Sequence, residues 1–226
     1  MSSAPSHPSY EPSSQHEAII DLLAALAYAE LSAFDRLAED ARLAPTLDAR
    51  ARMAGMAALE LSHHTLLTAH LTELGAVPAE AMAPFVAALE RYHELTAPST
   101  WLEAVVKAYV GDGMAADFYR EVAEFVDPST RQLIHDVLTQ GGRAEFAVSE
   151  VRSAVAANPA AAGRLALWAR RLVGEAISQT QHVLADRDAL MVLLMQSRGD
   201  FAGVAGLIAR ITERHEERMA SLGLST

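Results

Sequence analysis

Glu60-Leu61-Ser62-His63 lies inside an Ala- and Leu-rich run that begins at Leu47 and ends near Leu74. A Glu and a His three residues apart share one helix face. Both fall on the stripe Met53, Met56, Glu60, His63, Leu67, His70 and Leu74, which recurs at helical spacing. An acid and an imidazole in the middle of an apolar face need compensating charge, because burying either alone is costly. A metal ion with oxygen and nitrogen ligands is one source of that charge. The four-residue motif is short enough to arise by chance, so its weight depends on what the other helices present beside it.

On the N-terminal side, Ile19, Leu23, Leu26, Glu30, Ala33 and Leu37 form a second stripe, predicting a helix over 15–43. Ala44-Pro45-Thr46 separates it from the helix over 47–74, which Gly75 can cap. Residues 75–98 then form a long connection with a short helix around 79–95. Ser99 is the expected N-cap of the next helix, with Glu103 one position beyond the usual capping-box site. That helix runs to about Val126 with Trp101, Val105, Ala108, Asp112, Ala115, Tyr119 and Val122 on its stripe. Asp127-Pro128 starts a fourth long helix, with Asp127 as N-cap and Pro128 at the first helical position. It runs to about Ala157, with Ile134, Val137, Gly141, Glu145, Val148 and Val151 on its face, and Asn158-Pro159 ends it. Further helices are expected over roughly 160–186, 187–197 and 200–221. The class is all-α.

Each of the two long hairpins thus carries an acid halfway along both arms. Glu30 and Glu60 each lie about 15 residues from the Pro45 break. Asp112 lies about 15 before the Asp127-Pro128 turn, and Glu145 about 17 after its Pro128. At ~1.5 Å rise per residue each pair is level to within about one turn. Glu30, Glu60, His63, Asp112 and Glu145 are therefore the candidate metal ligands. The bland alternative, that each acid sits on a solvated face, applies to any of them singly.

Several segments carry a resemblance: Ala27-Tyr28-Ala29-Glu30, Glu60-Leu61-Ser62-His63, Tyr109-Val110-Gly111-Asp112-Gly113, Ala116-Asp117-Phe118-Tyr119 and Arg170-Arg171-Leu172-Val173-Gly174-Glu175. Over about residues 16–157 the chain resembles ferritin-like di-iron carboxylate proteins. More narrowly, and through to its C-terminus, it resembles bacterial proteins grouped with the tRNA hydroxylase MiaE. The resemblance implies a ferritin-like four-helix bundle over 15–157, with additional C-terminal helices, 158–226, packed on it. It implies iron, as a di-iron pair, held by Glu30, Glu60, His63, Asp112 and Glu145; manganese and zinc suit the same donors. The second His of the family pattern is absent, since Val148 stands in its place. That departure leaves an asymmetric metal pair, a single metal, or none. The implied activity is an O₂-dependent hydroxylase acting on an unknown organic substrate. The alternative is a non-catalytic bundle, metal-free or with a structural metal, serving as a dimeric scaffold.

Other residues compete for the site. Asp117 is the second choice to Asp112 on its helix. His70 is expected in the core or at an interface, His64 off the metal face, and His135 far from Glu145. The stripe Trp168, Leu172, Glu175, Gln179 and His182 reads as a solvated face first and a substrate-facing wall second. His182 or His215 could replace the missing His, although charged neighbours favour a surface place for His215. Tyr28, Tyr109 and Tyr119 receive no assigned role. Gly111-Asp112-Gly113 points to close helix packing or a local bulge.

Composition narrows the class. The formal net charge of −11 disfavours a polyanion such as tRNA as partner. The absence of cysteine excludes thiolate metal sites. No stretch is long and apolar enough for a membrane span. The Ser/Pro-rich segment 1–14 reads as a disordered tail and not a signal peptide, so a cytoplasmic location is the default expectation. Surplus apolar helix faces lead us to expect a homodimer.

Overall fold

Helix ends are fixed by residues that the local sequence supplies. In the computed structural model, which describes residues 12–139, 143–196 and 201–226, α1 spans Pro12–Asp40, and a short 3₁₀ turn follows over Ala41–Leu43. The hydroxyl of Thr46 accepts from the Ala49 amide at 3.1 Å and starts α2, Leu47–Glu73. Gly75, at φ 83°, turns the chain out of α2; the left-handed region favours glycine. The next helix, α3, is Pro78–Leu95. Thr100, not Ser99, caps α4, Trp101–Ala123. Its hydroxyl accepts from the Glu103 amide at 3.3 Å, while the Glu103 carboxylate reaches back to the Ser99 amide at 2.7 Å. The capping box therefore has its usual spacing, counted from Thr100.

Asp127 caps α5, Pro128–Thr139, by accepting from the Ser129 and Thr130 amides at 3.0 Å each. α6, Arg143–Ala157, occupies the rest of the range expected for the fourth long helix. Gly141 of the expected stripe lies outside the described residues, as does most of the expected tail. Pro12–Ser14 already belong to α1. α7, α8 and α9 span Ala160–Asp186, Asp188–Gln196 and Phe201–Leu222. Among the described residues there is no strand, and no helix is long and apolar enough to cross a membrane.

α1 packs most extensively along α2, and also on α3 and α8. α4 is the second hub and packs on α5, α6, α7 and α9. Two apolar clusters result. One gathers Leu22, Leu23, Leu26, Leu67, Leu71, Phe85, Ile134 and Leu193. The other gathers Leu37, Met53, Val105, Val106, Val151, Leu172, Met219 and Leu222. Helices beyond residue 158 contribute to both. Along α1, α2 and α4 one cluster ends and the other begins near mid-helix, and there the buried polar residues Glu30, Glu60, His63 and Asp117 sit.

Ion pairs fasten the C-terminal helices to this frame. Arg187 at the start of α8 grips Asp21 of α1 with two nitrogens, Nε at 2.9 Å, and lies over the Phe85 ring. On α9, Arg210, Arg214 and Arg218 recur every four residues and meet Asp117 and Glu121 of α4. Arg218 Nη1 is 2.6 Å from Asp117 Oδ2. That approach needs Gly113, because a Cβ there would lie 2.7 Å from Arg218 Cδ.

Gly113→Ala sets two effects against each other. Ala is favoured over Gly in a helix by ~1 kcal/mol. Forcing Arg218 off the buried Asp117 carboxylate costs about 1–3 kcal/mol. The steric effect should win, so urea unfolding should show a net loss of stability. A more stable variant would mean that Arg218 is not held against α4.

Candidate metal centre

Glu60 and His63 project from the middle of α2 toward α1, where Glu30 meets them. All three are buried, and one ligand atom from each lies within 4.8 Å of the others. His63 Nδ1 is the shared partner, 3.2 Å from Glu30 Oε2 and 3.5 Å from Glu60 Oε2. Helical spacing explains the local part: three residues bring Glu60 and His63 to one face. Glu30 arrives through the hairpin, level with them across the α1–α2 contact.

The electrostatics follow from burial. Loss of water raises the Glu30 carboxyl well above the usual carboxylate range; His63 opposes the shift and the neighbouring Glu60 adds to it. Burial alone would lower the His63 imidazole. Its hydrogen bonds to Glu30 and Glu60 outweigh that and hold it at about 9. Protons thus balance two buried acids around one imidazole. Tyr119 is also fully buried, and burial first, then the charge of Glu30, pushes its phenol above the ordinary range.

The same three groups suit a cation. They offer carboxylate oxygens and an imidazole nitrogen converging on one point, a donor set that iron, manganese and zinc all accept. His63 Nε2 is buried and has no hydrogen-bond partner among the described residues. The ring is therefore positioned by the carboxylates in front of it and not by an acceptor behind it, where metal-binding histidines usually have one.

Asp112 and Glu145 do not join this group. Asp112 is half-buried on α4 and lines a large cavity whose wall also includes Glu30 and Glu60. Glu145 is exposed. On α6 the buried positions are Phe146, Ala147 and Val151, so the inward face is rotated by one residue from the expected stripe, and Glu145 turns to solvent. Val148 is half-buried and packs with the second apolar cluster. The expected placement of Glu145 as a ligand is corrected accordingly.

The other candidates separate cleanly. Asp117 is buried but belongs to Arg218, Arg120 and Arg214, which leaves it no role at the centre. His64 Nδ1 donates to the Ala27 carbonyl at 2.8 Å. His70 bridges Glu73 and Thr130. His182 is exposed. His215, expected at the surface, is buried on α9 and lines the cavity; burial, then the charge of Arg218, lowers its pKa. Tyr28 donates to Glu90 at 2.8 Å, away from the centre. Gly111 and Gly113 are close-packing positions, against Tyr92 and Arg218 respectively.

One polar group escaped the sequence reading. Arg36, Asp40, Tyr92, His93 and Lys107 line the same cavity from α1, α3 and α4. Its signal was a lysine inside Val105-Val106-Lys107-Ala108, where four consecutive residues, 104–107, are buried.

The comparisons with known proteins agree with this architecture. Residues 13–197 match the family described as the ferritin-like domain of actinomycetes. No curated protein matches the chain.

Because Glu145 is exposed and Val148 packs in an apolar cluster, restoring the missing His should not build a second site. Val148→His is expected to bind no additional metal in a titration followed by elemental analysis, and to lose about 1–3 kcal/mol of stability. A second tight equivalent would place Glu145 at the centre after all.

Proposed function

Because the chain belongs to this ferritin-like domain family, we propose that Glu30, Glu60 and His63 hold one metal ion, iron first among the candidates, in an oxidative enzyme of the hydroxylase kind. The observation that carries the proposal is the convergence of three buried ligand atoms, two of them on glutamates, Glu30 and Glu60, that line a cavity large enough for a small molecule. The cavity measures about 550 Å³. Small-molecule sites typically span ~300–1,000 Å³. The chemistry iron would supply there is activation of O₂ for oxidation of a C–H bond, with electrons from an outside donor.

This chain's own residues do the rest. Glu30 and Glu60 supply negative charge in a dry setting. His63 would supply the nitrogen donor and would give up its proton to make room for the cation. The largely aliphatic cavity walls surround Glu30 with apolar side chains. Asp112 on α4 and Asp40 on α1 are further acids in the cavity lining. A single ion is favoured over a pair because the fourth-helix donors are absent: Glu145 is exposed and Val148 is apolar. The acidic balance of the chain continues to disfavour tRNA as the substrate.

A second reading rests on a specific observation. A protonated His63 neutralises one glutamate and the proton held by the buried Glu30 carboxyl neutralises the other, so the trio is self-consistent without metal. In that case the bundle is a scaffold.

Metal analysis of protein from iron-supplemented cells decides between them. About one equivalent per chain is expected. Glu60→Ala and His63→Ala should each lose most of it with the far-UV circular dichroism unchanged, because the remaining acids can take up protons. No metal in the parent after reconstitution, or unchanged content in both variants, would leave the scaffold reading standing.

A further inference from the structure

The cavity beside Glu30 is long and has one polar end. Its lining runs along α1 from Leu22 to Asp40, a span of roughly 27 Å at ~1.5 Å per residue. Most of that wall is aliphatic: Leu22, Leu26 and Leu37 from α1, with Ile177 and Leu184 from α7 and Leu190 from α8. At the Asp40 end the lining changes character. Lys107 of α4 is buried, 6% exposed, and its ammonium has no hydrogen-bond partner. Arg36 Nε, Tyr92 Oη and His93 Nδ1 are likewise buried and unpartnered. The four belong to one cluster. Lys107 Nζ lies 5.6 Å from the Tyr92 ring centre, the Tyr92 and His93 rings are 5.2 Å apart, and burial first, then the charges of Lys107 and Arg36, lowers the His93 pKa.

Buried polar atoms are almost always paired, so four orphans at one place call for a reason. Three of them, on Lys107, Arg36 and Tyr92, are donors and need an acceptor. The local carboxylates do not meet that need. Glu90 is taken by Arg36 Nη2 at 2.6 Å and by Tyr28 at 2.8 Å. Asp40, Glu39 and Glu90 attract Lys107 from beyond hydrogen-bond distance. Arg36 and Asp40 lie six and ten residues past Glu30, roughly 9 and 15 Å along the axis, so an anion held at this end is well separated from the Glu30 carboxyl.

We propose that this cavity binds an unbranched amphiphile with a carboxylate head, the head on Lys107 with Tyr92 and Arg36 and the hydrocarbon along the α1–α7 wall toward Leu22. The site stands on the cavity and its polar end and does not need a metal at Glu30. A chain bound this way passes Glu30 and Glu60, which would make it the substrate of the proposed metal centre.

The test uses the full-length protein after chelator treatment, titrated calorimetrically with hexanoate through dodecanoate below their micelle concentrations. Matched 1-alkanols and alkyltrimethylammonium ions are the comparison ligands. One carboxylate should bind per chain, about fourfold tighter for each added methylene, since ~0.8 kcal/mol per buried CH₂ converts to that ratio. Each acid should bind at least tenfold tighter than the alcohol of equal length, and the cationic series weakest. Lys107→Met removes the ammonium at nearly constant volume and should bring acid and alcohol to within about twofold of each other. Lys107→Gln is the second variant should Lys107→Met fail to fold. Ala176→Trp, which fills the cavity from α7, should weaken acid and alcohol alike. The proposal is overturned by absence of saturable binding, by equal affinity for acid and alcohol in the parent, or by an undiminished preference in the folded lysine variant. Metal content and ligand binding are read separately, so either can fail alone.

Discussion

Two glutamates and a histidine occupy one dry point between α1 and α2, and their charges must cancel there. That constraint shapes the middle of the molecule. Burial between apolar clusters strips the acids of most of their hydration, so they persist by sharing protons, by pairing with the imidazole, or by binding a cation. All three remedies require the side chains to converge, and the α1–α2 hairpin makes them converge. Register along that hairpin therefore matters more than any single packing contact. A slip of one residue would carry Glu30 away from His63 and leave a buried charge uncompensated.

The same problem is solved differently on α4. Asp117 is as deeply buried as Glu30 and Glu60, yet arginines of α9 neutralise it, and Gly113 makes room for one of them. An arginine is permanently charged, so this pairing is fixed. The Glu30–Glu60–His63 group carries no permanent cation, and its balance can change when a proton leaves or a metal arrives. The difference separates a structural ion pair from a candidate centre more sharply than burial does.

The cavity joins these elements. It borders Glu30 and Glu60, reaches Asp112 across α4, and ends among Arg36, Tyr92, His93 and Lys107. A polar end, an apolar length and an exchangeable acidic wall lie along one face of α1. α3, α7, α8 and α9 complete the enclosure. The helices after residue 158 are thus walls of the space where chemistry is proposed.

The sequence by itself determined the class and most of the helix ends, and it placed Glu30, Glu60 and His63 among its five candidate ligands. Asp127-Pro128, Pro45-Thr46 and Gly75 are local chemistry, legible without a fold. Glu60 and His63 share a face through helical geometry alone, and the short turn after α1 places Glu30 level with them. What the tertiary structure decided depends on which side of a helix turns inward, which a single stripe fixes only to within a residue or so. Glu145 left the site because Phe146, Ala147 and Val151 set the inward face of α6. Asp117 became structural because α9 brought two arginines, Arg214 and Arg218, to it from about a hundred residues away in sequence. His215, flanked by charges, was buried because Glu213, Glu216 and Glu217 turn to solvent while Arg214 and Arg218 pair with acids of α4. The Lys107 cluster draws on α1, α3 and α4, and no spacing rule within one helix can join residues whose meeting is set by packing.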